Sequence, residues 1–143
     1  GTKMYPSGLE SKINAVINTK AKAGVGISKS ISGNTLTINT KTVFFEEITG
    51  DVNMAVYVIE NDISGSQTGK TGQVEHDHVF RGSANGNFGE MLDSNPYKGQ
   101  IVDGTYTFTA PAKTKNVQNL HVVAVIWTMA AGKPLAYINS NID

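Results

Sequence analysis

Two runs of apolar residues, 52–59 (VNMAVYVI) and 120–128 (LHVVAVIWT), dominate the hydrophobic pattern of the chain. Both are rich in β-branched residues, and both fall far short of the roughly 20 residues that a membrane-spanning helix needs. Turn-forming residues bracket each run, Gly50-Asp51 and Asn61-Asp62 around the first, residues 116–119 and Gly132 around the second. Bounded runs of this length predict paired central strands of a sandwich core.

Elsewhere the period is two. Residues 25–32 and 35–46 flank Ser32-Gly33-Asn34, a hairpin turn in which Gly33 and Asn34 tolerate positive φ. Leu36, Ile38 and Thr40 share one face, whereas the adjacent Phe44 and Phe45 must point oppositely, which predicts a bulge or bend near residues 41–43. A polar link over residues 61–72 leads to a weaker strand over 74–80. Residues 82–103 carry Gly82, Gly86, Gly89, Pro96 and Gly99 and read as one long loop. Tyr106, Phe108 and Ala110 alternate with Thr105, Thr107 and Thr109 in the clearest half-buried strand, which Pro111 ends. Residues 120–128, a turn at 130–134 and residues 135–141 predict a closing hairpin.

The first 24 residues follow a different rule. Ser7-Gly8-Leu9-Glu10 has the form of a capping box, and Leu9, Ile13, Val16 and Ile17 recur at helical spacing. Lys20 and Lys22 suit the negative end of the helix dipole, and Gly24 is a stop. The expected organisation is a helical connector over residues 1–24, reaching from an upstream domain, followed by a mainly β domain over residues 25–143. That domain is expected to be an immunoglobulin-like antiparallel β-sandwich, although a jelly-roll fits the strand count as well.

Composition narrows the functional classes. The chain has 143 residues, enough for one domain whose core needs no staples. Twelve basic and twelve acidic residues cancel without a run of either sign, which argues against nucleic acid or an anionic membrane surface as partner. With no Cys there are no disulfides, zinc thiolates or thiol nucleophiles. The chain opens on Gly1, so an export signal, lipid anchor or preceding domain can lie outside it.

Candidate chemistry is sparse. His76 and His78 flank Asp77, and on an extended strand both imidazoles would project from one face about 7 Å apart, within reach of one metal ion. Glu75, Asp77 or Glu90 could complete such a site, while solvated strand-edge histidines are the plainer reading. No Gly-x-Ser-x-Gly elbow is present, Glu46 and Glu47 face opposite sides of a strand, and Gly86-Asn87-Phe88-Gly89 lacks the Lys-Ser/Thr of a phosphate loop. No cofactor is expected. Trp127 and Tyr57 sit among apolar residues and are expected in the core rather than on a sugar platform, whereas Phe88 and Tyr97 on the long loop suit contact with a partner. Arg81 and Asp93 would form the polar rim of that contact.

The segment His76-Asp77-His78-Val79-Phe80-Arg81, the Gly-rich stretch after it, and the closing Leu120-His121-Val122-Val123-Ala124 and Leu135-Ala136-Tyr137-Ile138-Asn139 resemble the C-terminal half of the twenty-eight-kilodalton outer membrane protein family of anaerobic Gram-negative bacteria. The resemblance implies exported lipoproteins with a lipidated Cys, a thioredoxin-like region and then a β-sandwich. This sequence has neither that Cys nor a Cys-x-x-Cys, and the resemblance carries over no catalytic residue. It implies a location in the cell envelope, at the outer membrane or cell surface. The expected function is a non-catalytic module that meets a protein partner through residues 82–98. The alternatives are a carbohydrate-binding module and a metal site at His76 and His78.

Overall fold

The structure, a computed structural model, describes Ser11, Asn14 and residues 19–143. The capping box at residues 7–10 and the apolar positions Leu9, Ile13, Val16 and Ile17 lie outside the described residues. The expected helix end at Gly24 is corrected, because Ala23 and Gly24 already belong to the first strand. Ala23 is buried in the core, and a Cβ at Gly24 would lie 2.9 Å from the Phe45 ring, so this glycine is where that ring packs onto the strand.

Among the described residues ten strands follow in order: β1 (Ala23–Ser32), β2 (Thr35–Phe44), β3 (Asp51–Glu60), β4 (Ile63–Ser66), β5 (Gln73–His76), β6 (Val79–Ser83), β7 (Glu90–Ser94), β8 (Ile101–Thr109), β9 (Leu120–Ala130) and β10 (Lys133–Ile142). A 3-10 turn at Val117–Asn119 leads into β9. One sheet has the order β1-β2-β8, and the larger one has the order β10-β9-β3-β6, with β7 also pairing β3. β4 and β5 form a separate two-stranded ribbon. All pairings are antiparallel, and the result is a mainly β sandwich.

The core lies between the two sheets. Leu36, Ile38 and Phe44 of β2 meet Val52, Met54, Val56 and Val58 of β3 and Leu120, Val122, Ala124 and Ile126 of β9, all without exposed surface. The bulge expected at residues 41–43 is absent, because the β1–β2 and β2–β8 registers run without a break. Alternation simply continues through the buried Thr40 and Thr42 to Phe44, and the strand ends before Phe45 turns outward. The Thr42 hydroxyl faces the Met54 sulfur at 3.8 Å.

Residues 82–103 are not one loop. They hold the end of β6, all of β7 and the start of β8. β6 and β7 pair with opposite ends of the same edge of β3, and Asn85 bridges the gap between them. Its side-chain amide accepts from Val56 N–H and donates to the Met54 carbonyl, each at 2.8 Å, so it stands in for a strand residue. A Cβ at Gly89, whose φ is +73°, would collide with the Met54 carbonyl, so only glycine lets the chain pass this close.

On the opposite side the sandwich is stitched shut. Asn139 and Asn141 of β10 donate to the carbonyls of Ala23 and Val25 on β1, each at 2.8 Å. Lys29 bridges to Asp143 at 2.7 Å and donates to the Leu120 carbonyl at 2.6 Å.

Candidate functional site

Residues 52, 54, 56 and 58 of β3 and 120, 122, 124 and 126 of β9 point inward, so the alternate positions of the same strands point away from the core. The register aligns them in rows across the larger sheet: Tyr137, Trp127, Asn53 and Met91; then Ser140, Val125 and Ala55; then Ile142, Val123 and Tyr57; then His121, Ile59 and Phe80. These rows contain no Lys, Arg, Asp or Glu. Phe80, Met91, Tyr137 and Ile142 are 56%, 61%, 65% and 45% exposed.

Tyr57 organises the centre of this face. Its ring meets Phe80 edge-on, with centroids 5.9 Å apart, and leans on Trp127 at 6.5 Å. Its hydroxyl donates to the Asn87 carbonyl at 2.5 Å, and the Trp127 indole N–H donates to the Phe88 carbonyl at 3.0 Å. Both aromatic polar groups therefore hold the turn between β6 and β7. Burial raises the Tyr57 phenol above its ordinary pKa. At one end of the face, Ile59, His78, Val123, Ser140, Asn141 and Ile142 line a hollow of about 460 Å³.

The structure redistributes the residues singled out in the sequence. Trp127 and Tyr57, expected in the core, are half-buried on the outer face. The reason is that the apolar runs are apolar on both sides, so the core takes one parity and the outer face the other. Arg81 is not a rim residue: its side chain is 8% exposed, and its Nε lies 2.5 Å from Oε2 of the fully buried Glu60. The other Glu60 oxygen accepts the Lys115 and Asn116 N–H groups, both at 2.7 Å. Asp93 is likewise tied inward, accepting a hydrogen bond from the Gln100 side chain. Phe88 and Tyr97 are exposed.

The strand alternation invoked for His76 and His78 does not hold. β5 ends at His76, and His78 has φ +58° with its N–H donating to the Asn61 side chain at 2.8 Å. Asp62, Glu75 and Asp77 gather nearby instead, with carboxylate oxygens within 4.8 Å of one another, all exposed and without either imidazole. Asp62 and Asp77 already serve the loop, since Asp77 accepts from Asp62 N–H and Asp62 accepts from Asn119, each at 3.1 Å. Glu90 lies elsewhere, paired across β3 with Met54. The residues missed in the sequence are Met91, Tyr137 and Ile142, together with Phe80 as a surface ring. The parity of the apolar runs was the available clue.

Fold and surface together define an antiparallel β-sandwich domain with one apolar outer face. The chain matches the family described as outer membrane protein Omp28 over residues 4–135 and belongs to it. It is accordingly a cell-envelope protein. Among solved structures it is similar to HBP35 of Porphyromonas gingivalis, with a TM-score of 0.74 and 16% identity. The match covers 99% of this chain and 47% of that one, and at this identity the likeness is one of fold. No curated protein matches the chain. Among the described residues no helix is long and apolar enough to cross a membrane.

Proposed function

We propose that the chain is a non-catalytic, immunoglobulin-like adaptor module that binds protein at the cell envelope through the outer face of its larger sheet. The observation that carries this reading is that face itself: large apolar side chains stand half open to solvent in rows without a charge. Contiguous apolar surface of this kind marks an interaction site in a folded domain. Phe88 extends the surface from the turn held by Trp127. Export and lipid attachment of the parent protein fit membership of the family and belong to the same proposal.

A protein partner suits the face better than a glycan. A sugar platform needs free hydrogen-bonding groups beside its rings, and here the Tyr57 hydroxyl and the Trp127 N–H are both occupied by the turn they hold.

The test compares three forms of the chain as bait in extracts of the native envelope. Wild type and a Thr107→Lys variant, altered on the smaller sheet, should recover the same protein. A Phe80→Ser/Met91→Ser variant should lose it. Equal recovery by all three would remove the proposal.

A further inference from the structure

We infer that the protein seated on this face is a second copy of the chain, packed face to face about a two-fold axis lying in the interface along the row of Ser140 and Val125. The inference rests on the reading of the face as a protein-binding surface and names its partner.

Area is the first argument. Phe80, Phe88, Met91, Tyr137 and Ile142 are between 45% and 65% exposed. Each leaves on the order of 100 Å² open. With the half-buried Val123, Val125 and Trp127 between them, the face offers roughly 600–800 Å², close to the ~800 Å² per partner of a standard stable interface.

Charge is the second. An isologous contact brings residues near the axis against their own copies, so any charge there repels itself. The rows of the larger sheet contain no Lys, Arg, Asp or Glu, and the whole chain has a net charge of +0, so neither short-range nor long-range repulsion opposes self-association.

Shape is the third. On β10 and β9 the row on the proposed axis carries small residues, Ser140 and Val125, so the copies approach most closely there, while at its β3 end Ala55 is already covered, with no exposed surface, between Tyr57 and Trp127. On one side of that row stand Tyr137 and Trp127, and on the other lies the hollow lined by Val123, Ser140 and Ile142. The two-fold exchanges these sides. Tyr137 of one copy, whose hydroxyl bonds Ser140 of its own strand at 2.9 Å, then lays its ring over the hollow of the other, against Ile59, Val123 and Ile142.

The absence of Cys makes the test clean. Full-length chain at about 100 µM, well above the Kd of a standard-size interface, should sediment as a dimer. Ser140→Cys should be joined to its own copy by a short bis-maleimide, since a residue on the two-fold axis faces its own copy across the interface. Thr107→Cys, on the smaller sheet, should not be joined. Tyr137→Ala should weaken the dimer at least tenfold with an unchanged melting curve. A monomer at this concentration, linking through Thr107→Cys as readily as through Ser140→Cys, or a dimer indifferent to Tyr137→Ala would each overturn the inference. If the chain is monomeric while Phe80→Ser/Met91→Ser still loses an envelope protein, the partner is a different protein and the binding face stands. If that recovery is also unchanged, both readings fall together.

Discussion

The two sheets of the sandwich share one interior and differ outside. On the smaller sheet the outward positions are Gly26, Ser28, Ser30 and Ser32 of β1, Thr35, Thr37, Asn39 and Lys41 of β2, and Asp103, Thr105, Thr107 and Thr109 of β8, with one apolar row at the end, Gly24, Val43 and Ile101, of which Ile101 is 55% exposed. The Thr105 hydroxyl bonds Asn39 at 3.0 Å, and Lys41 pairs with Asp103 at 3.5 Å, both in the open. Apart from that end row, this is a face finished by water, with apolar residues inside and polar residues outside. The corresponding positions of the larger sheet are mostly Val, Ile, Ala, Met, Phe, Tyr and Trp, with Asn53, His121 and Ser140 among them and no charge. An outer face that solvent satisfies needs no further layer, whereas one built like an interior exposes apolar area that a second layer can cover. The contrast within a single domain makes the apolar face a property of that sheet rather than of the chain's composition.

The sheets also place their ion pairs differently, and this yields the largest expected effect. In the larger sheet Arg81 and Glu60 are 8% and 0% exposed, while in the smaller one Lys41 and Asp103 are 63% and 68% exposed. Removing one partner of a buried pair leaves an uncompensated charge, so Arg81→Ala should lower stability by about 3–5 kcal/mol in urea unfolding. Two backbone N–H groups still reach Glu60, which favours the lower end of that range. Lys41→Ala should change stability by less than about 1 kcal/mol. Comparable losses from the two variants would erase the distinction between the sheets' ion pairs.

A smaller effect separates their hydrogen bonds. Asn85 completes the broken edge of β3 with two half-buried bonds, and its loss leaves the Val56 N–H and the Met54 carbonyl without partners. Asn85→Ala should therefore cost about 2 kcal/mol and speed amide exchange at Val56. Asn39→Ala, on the solvated face, should stay within about 0.5 kcal/mol. Unchanged exchange at Val56 would show that the β6–β7 break is closed without Asn85.

These residues also mark where the sequence stops being readable. Strict alternation in TLTINT and TYTFT revealed β2, β8 and their polar outer face, because period two assigns each side chain to a side. The continuous runs in β3 and β9 revealed strands but not sides, since an unbroken apolar run says only that both faces are apolar. Tyr57 and Trp127 were therefore expected inside. Arg81 was expected at a rim for a different reason. Its partner Glu60 lies 21 residues away, and the N–H groups that share this carboxylate lie 55 and 56 residues from it, distances that no local pattern spans. β7 was hidden because it is short, carries charged and polar residues at both ends, and is separated from β6 by the Asn85 bridge. The interaction surface was accordingly sought in residues 82–98, of which Phe88 and Met91 border the face found in the structure.

The subtlest difference is in titration. Tyr106 belongs to the smaller sheet but points inward toward β7, whereas Tyr57 lies on the outer face of the larger sheet. Both phenols are raised above the ordinary value of 10.0. For Tyr106 burial contributes most, the negative charge of Glu90 adds to it, and a hydrogen bond with the Asn85 side chain opposes both. For Tyr57 the cause is burial. A phenol whose folded pKa is raised contributes stability that is fully present below its unfolded pKa near 10 and is lost as pH rises through the folded value. Tyr106→Phe should therefore flatten the alkaline fall in stability without altering stability at neutral pH beyond the loss of one hydrogen bond. Glu90→Gln sharpens the contrast, because it removes a charge that acts on Tyr106 and is no cause of the Tyr57 shift. Phenolate absorbance, with each tyrosine assigned by its own Phe variant, should show the Tyr106 titration moving down in Glu90→Gln while the Tyr57 titration stays in place. Movement of both, or of neither, would mean that the two tyrosines do not report separate sides of the sandwich.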